Sequence, residues 1–192
     1  MKNIIMLLIS ILIGCGISNA YADASVGGTF TLTNQFGKNV SEAEFRGKYM
    51  LLFFGFTNCP DLCPTTLLIM SQALEQLKGN ASKVAPIFVS IDPERDSPTQ
   101  MKAFLSNFNP AIIGLTGTQQ QIDEVQNKYK TYSLKVEDKD APSGHSFDHS
   151  GYIYLMDKQG KFLTVFTADS SPKTIAKKIE DCEQKDAKGS PL

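Results

Sequence analysis

The sequence predicts an α/β fold: a central mixed β-sheet flanked by helices, with a strand or hairpin extension at its N-terminal edge. Three observations predict it. Short apolar runs of strand length alternate with segments whose apolar residues recur at helical spacing. The run from Tyr49 to Phe54 is continuously apolar, the pattern of a central strand buried on both faces. The alternation ends in two strands around a Lys158-Gln159-Gly160 turn and then a last helix, which adds antiparallel pairing to the sheet.

The elements follow in order. Phe30 to Thr33 alternates as a strand does, and Asn34-Gln35-Phe36-Gly37 is a turn signal. Ser41 with Glu44 three residues later is a capping box, and it opens a short helix that stops at Gly47. After the central strand comes a cysteine-containing loop. A helix follows over Thr65 to Leu77, with Leu67, Met70, Leu74 and Leu77 on one face and Gly79 as its stop. Val84 to Ile91 is a second strand. Ser97-Pro98 opens a helix to about Phe108. Ile112 to Leu115 is a short strand, and Thr118 caps a helix to Tyr129. Tyr132 to Val136 is a further strand, residues 138–148 are a polar loop, and Tyr152 to Met156 with Phe162 to Phe166 form the hairpin. Ser171-Pro172 opens the last helix.

The 192 residues suffice for one domain with a proper core. A net charge of −1 supplies no basic field for nucleic acid, so no nucleic-acid partner is expected. The start is distinct. Met1-Lys2-Asn3 is a short positive stretch, and Ile4 to Ile13 is apolar apart from Ser10. That length suits a secretory signal better than a membrane span. Two processing readings stand. Ala20-Tyr21-Ala22 fits ordinary cleavage, giving a signal peptide over 1–22 and a single mature domain over 23–192. Leu12-Ile13-Gly14-Cys15 fits a lipoprotein signal over 1–14, with Cys15 lipidated and attached to the membrane. Both place the mature protein in the periplasm or cell envelope. Three cysteines then remain after release at Ala22: Cys59, Cys63 and Cys182. An odd number argues against a disulfide scaffold, and Cys182, near the end of a polar helix, reads as an incidental thiol.

The stretch "NCPDLCPTT" carries the chemistry. It follows the central strand and precedes a helix, where open α/β sheets build their sites. Pro64 disfavours helical geometry at Cys63, so Cys63 is expected to cap the helix with Cys59 folded back over it. Both thiols would then lie at the positive end of the helix, which lowers thiol pKa. Such a pair can close a disulfide or bind a soft metal. A third ligand would decide between metal and redox use, and the chain has two histidines, His145 and His149. His149 precedes the strand that starts at Gly151; if that strand runs antiparallel to the central one, His149 stands beside the cysteines, and if parallel, at the opposite end. His145 lies in the polar loop and reads as solvated. Asp92-Pro93-Glu94-Arg95-Asp96 reads as a charged turn capping the next helix. Asp92, Asp61 and Asp148 are also candidates for outer support of a site.

"GFTNCPDLCPTTL", "FVSIDPERDSP", "IIGLTGT" and "DHSGYIYLMDKQGKFL", in this order, resemble the Sco/SenC family of copper-binding, thioredoxin-fold proteins. The resemblance runs from about Phe30 to Ile179. It implies a thioredoxin-like fold and one copper ion bound by Cys59, Cys63 and His149. It also implies a chaperone role, with the copper-site subunit of a haem–copper respiratory oxidase or another envelope cuproprotein as partner. The ligand chemistry agrees, since thiolates favour Cu(I) and imidazole also suits Cu(II). Zinc would prefer a fourth ligand, for which His145 is the candidate. The main alternative is a thiol–disulfide oxidoreductase acting through a Cys59–Cys63 disulfide on the cysteines of a copper-site apoprotein. Against it, three residues separate the cysteines where the redox motif has two. A copper or redox sensor is a third reading.

Overall fold

The computed structural model describes residues 25–139, 141 and 144–190. The signal and lipidation readings at residues 1–22, including Cys15, lie outside the described residues. A seven-stranded mixed sheet forms the centre. Its strands are β1 (Thr31–Asn34), β2 (Asn39–Ser41), β3 (Tyr49–Gly55), β4 (Val84–Ser90), β5 (Ile113–Thr116), β8 (Ile153–Met156) and β9 (Phe162–Phe166), in the order β2-β1-β5-β4-β3-β8-β9. β3, β4 and β5 are parallel, and every other pairing is antiparallel. The fold is thioredoxin-like, and the β1–β2 hairpin is the N-terminal extension at one edge.

The helices are α1 (Leu62–Gln76), α2 (Pro98–Leu105), α3 (Gln119–Tyr129) and α4 (Pro172–Ala187). Their starts are set by local chemistry. The Ser97 hydroxyl accepts from the Gln100 amide ahead of α2, and that of Ser171 from the Thr174 amide ahead of α4, each with proline in the first turn. Thr118 and Gln121 form a capping box at α3. All seven residues of β3 and all seven of β4 are buried. Phe54 and Tyr154 meet Tyr129 of α3 on one face of the sheet, while Phe53 and Phe88 stack and Phe88 meets Phe104 of α2 on the other. Among the described residues no helix is long and apolar enough to cross a membrane.

Four expectations change. The capping box at Ser41 opens a 3-10 turn, Glu42–Phe45, and the chain before it pairs as β2. The segment 138–148 is not all loop. His145–His149 forms β7, antiparallel to β6 (Ser133–Glu137), and the two make a separate sheet. Its polar sequence hides a strand because pairing, not a buried apolar face, defines it. Cys63 does not cap α1. Asp61 is the N-cap and Cys63 lies in the first turn, where the missing N–H of Pro64 costs no helix bond. Cys182 is a core residue, only 3% exposed on the buried face of α4.

Candidate metal centre

β8 runs antiparallel to β3, with Phe53 opposite Ile153. The start of β8 therefore meets the end of β3, and the residues just before β8 come to the cysteine loop. Cys63 Sγ lies 3.8 Å from His149 Nε2. The Cys63 amide donates to Cys59 Sγ at 3.3 Å. The two sulfurs and one His149 nitrogen all lie within 4.8 Å of one another. Ligand atoms about 2.0–2.3 Å from one ion stand about 3.5–4.0 Å apart in a trigonal set, so small side-chain adjustments would close these three on a metal.

The ring of His149 is fixed from two sides. Its Nδ1 lies 3.1 Å from the Ser150 carbonyl, which can only accept, so Nδ1 carries the proton and Nε2 offers its lone pair toward the sulfurs. Phe56 meets the imidazole edge-on at 5.7 Å, and Phe53 lies at 6.3 Å.

The thiols are not equivalent, contrary to the expectation that both would be acidic. Cys59 is half-buried and Cys63 fully buried. The Cys63 thiol donates to Cys59, and the backbone of Cys63 and Asp61 adds further hydrogen bonds. These hold Cys59 down to about 4 despite its partial burial. Burial, the thiolate of Cys59 and the carboxylate of Asp96 push Cys63 well above the usual thiol range. The metal-free pair is a thiolate accepting from a thiol.

Gly55 makes room for this arrangement. A Cβ built there would stand 2.5 Å from Cys63 Sγ and 2.9 Å from the Phe88 ring. Only a residue without a side chain lets the sulfur lie against the end of β3.

The aspartates divide differently from expectation. Asp61 supports Cys59 through its backbone, while its exposed carboxylate accepts from Thr65. Asp148 is exposed, and strand alternation puts it on the opposite face from His149. Asp92 does not cap α2; it is 1% exposed and ion-paired with Arg95. With Glu94 and His145 it forms a second cluster of metal-ligating side chains, so His145 is grouped away from the cysteines. The residue missed is Asp96. Fully buried, it accepts from the Thr57 amide at 3.1 Å, the Thr57 hydroxyl at 2.6 Å and the Ser90 hydroxyl at 2.6 Å. It thereby ties the cysteine loop to the end of β4. Its only sequence signal was a third acid in the same charged run.

A family model described as SCO1/SenC matches residues 18–184. A SCO2-like protein of Rickettsia felis is 42% identical over 161 residues, covering 83% of this chain and 78% of that protein. The structure of Bradyrhizobium japonicum ScoI with copper bound is 42% identical, with a TM-score of 0.76 over 82% of this chain and 99% of that one. BsSco, described with a disulfide switch and as a member of the Sco family of cytochrome c oxidase assembly proteins, is 31% identical. Its TM-score is 0.68, covering 84% of this chain and 94% of that one. Sequence pattern and fold agree along nearly the whole described chain, and the protein belongs to the SCO1/SenC family.

Proposed function

We propose that this chain is a copper chaperone that takes up one copper ion through Cys59 Sγ, Cys63 Sγ and His149 Nε2. It passes the ion to the copper-site subunit of a respiratory oxidase, acting in the cell envelope after export. The observation that carries the reading is the convergence of these three ligand atoms within 4.8 Å of one another in a family whose members include a copper-bound ScoI. The donor set suits copper as cargo. Two thiolates favour Cu(I), and the imidazole lets the same site keep Cu(II). Three ligands leave a position open to an incoming ligand from a recipient. Zinc is disfavoured as the resident ion, because His145 is grouped with Asp92 and Glu94 rather than with the sulfurs.

Anaerobic titration of the reduced protein with Cu(I), Cu(II) and Zn(II) tests this. One copper per chain is expected, with Cu(II) binding weakened by His149→Ala far more than by His145→Ala. Equal weakening by the two would sink the ligand assignment.

One observation favours thiol–disulfide exchange as a second reading. A Cys59 thiolate beside a protonated Cys63 is an attacking sulfur with a proton donor next to it. Exchange needs no imidazole ligand. His149→Ala should therefore keep most reactivity toward a model disulfide while losing Cu(II). Cells carrying only that variant lose oxidase activity at low copper if delivery is the task, and respire nearly normally if reduction is.

A further inference from the structure

We infer that Arg95 is a positioning residue that clasps the β6–β7 hairpin to the body of the fold and so holds His149 over the cysteines. β6 and β7 pair with each other and stand apart from the seven-stranded sheet. The main ladder brings the chain to His149 through β8 but does not pair with β7 itself, so side-chain ties hold that strand against the body of the fold. At the base of the hairpin, Ser133 donates to Gln126 of α3 at 2.5 Å. At its far end Arg95 Nη1 donates to the His145 carbonyl at 3.2 Å.

The same guanidinium does two other things. Its Nε pairs with the buried carboxylate of Asp92. Its Cζ lies 5.7 Å over the ring of Phe56, which packs on both Phe147 and His149. Only 17% of the Arg95 side chain is exposed, so these contacts are shielded from solvent. The neighbouring tie from Lys135 to Glu94 is exposed on both sides and contributes little. The next residue, Asp96, holds Thr57 in the cysteine loop. One short turn, residues 92–96, thus fastens the histidine hairpin by Arg95 and the cysteine loop by Asp96. A planar fork can pair with a carboxylate, donate to a carbonyl and lie on a ring together, whereas an ammonium cannot.

The role of the clasp in copper binding rests on the proposed ligand set; the clasp itself does not. Hydrogen exchange on the reduced, metal-free protein therefore comes first. Arg95→Ala leaves Asp92 buried without its cation and can fail to fold. Arg95→Lys keeps a charge for Asp92 and loses the fork, so it is the deciding variant. Its hydrogen-bonded amides in β6 and β7 should exchange about tenfold faster, with those of β3 and β4 unchanged. Its Cu(II) dissociation constant should rise about tenfold, with that for Cu(I) changed by less than about twofold. Wild-type exchange in the hairpin, or equal acceleration in every strand, overturns the clasp. Faster hairpin exchange with unaltered Cu(II) binding overturns the link to His149. A parent protein that binds no Cu(II) overturns the proposed function instead, and the exchange rates still decide the clasp.

Discussion

Adding one methyl group at Gly55 is expected to disable the metal centre while leaving the fold intact. The new Cβ would stand 2.5 Å from Cys63 Sγ, with Phe88 at 2.9 Å and Phe53 at 3.1 Å closing the other sides. Ordinary contact needs about 3.5–4.0 Å, so the sulfur must retreat by about 1 Å or more. Metal–ligand distances tolerate only about 0.2 Å, so the displaced sulfur no longer meets an ion held by Cys59 and His149. Overpacking of this kind costs about 1–3 kcal/mol, which lowers Tm by about 2–12 °C in a chain of this size. Cu(I) affinity should fall about 10- to 100-fold, the range seen when the support of a ligand is removed. Competition against a chromophoric Cu(I) chelator measures the affinity, and denaturation of the metal-free protein measures stability. Gly114→Ala is the control. Its Cβ would crowd Met101 at 2.3 Å and Leu105 at 2.6 Å, within the α2–β5 packing. It should cost similar stability and leave Cu(I) affinity alone. If Gly55→Ala bound Cu(I) as the parent does, the claim that Gly55 sets the position of Cys63 would be refuted.

The thiol asymmetry makes further predictions. Cys59 is a thiolate above about 4, so its alkylation should be lost only as pH falls through that value; Cys63, held protonated, should stay slow through neutrality, and Cys63→Ala should move the Cys59 midpoint upward. Comparable rates at both cysteines at pH 7, by mass spectrometry, would contradict this. Because Cys59 already lacks its proton and only Cys63 must lose one, Cu(I) uptake at pH 7 should release about one proton per ion, measured with an unbuffered indicator; release of two would refute the assignment. Oxidation to a Cys59–Cys63 disulfide should abolish tight Cu(I) binding, and bound copper should protect both thiols from alkylation; oxidised protein of full affinity would exclude that pairing as a switch. The native N-terminus should be Asp23 or a diacylated Cys15, and an intact Met1 in a cytosolic fraction would remove the export reading.

What the sequence determined by itself was local or periodic. Caps at Ser97, Thr118 and Ser171 start helices because the side chain that satisfies a free amide lies three residues away in the chain. The apolar run of β3 marks a central strand because both of its faces are buried. The cysteine pair follows that strand in the chain, so its place at the strand's carboxyl end was legible as well. Tertiary structure decided what depends on distant partners. His149 reaches Cys63 because β8 runs antiparallel to β3, a choice that residues 145–156 alone leave open. β7 exists because β6 pairs with it. The two thiols differ because one sulfur is buried beneath the sheet's end against Gly55 while the other stays half-exposed and collects hydrogen bonds. Asp96 and Arg95 stand in one charged run, yet one turns into the core beneath the cysteine loop and the other reaches out to the histidine hairpin. Burial and pairing across the fold set those directions, and a linear charge pattern carries neither.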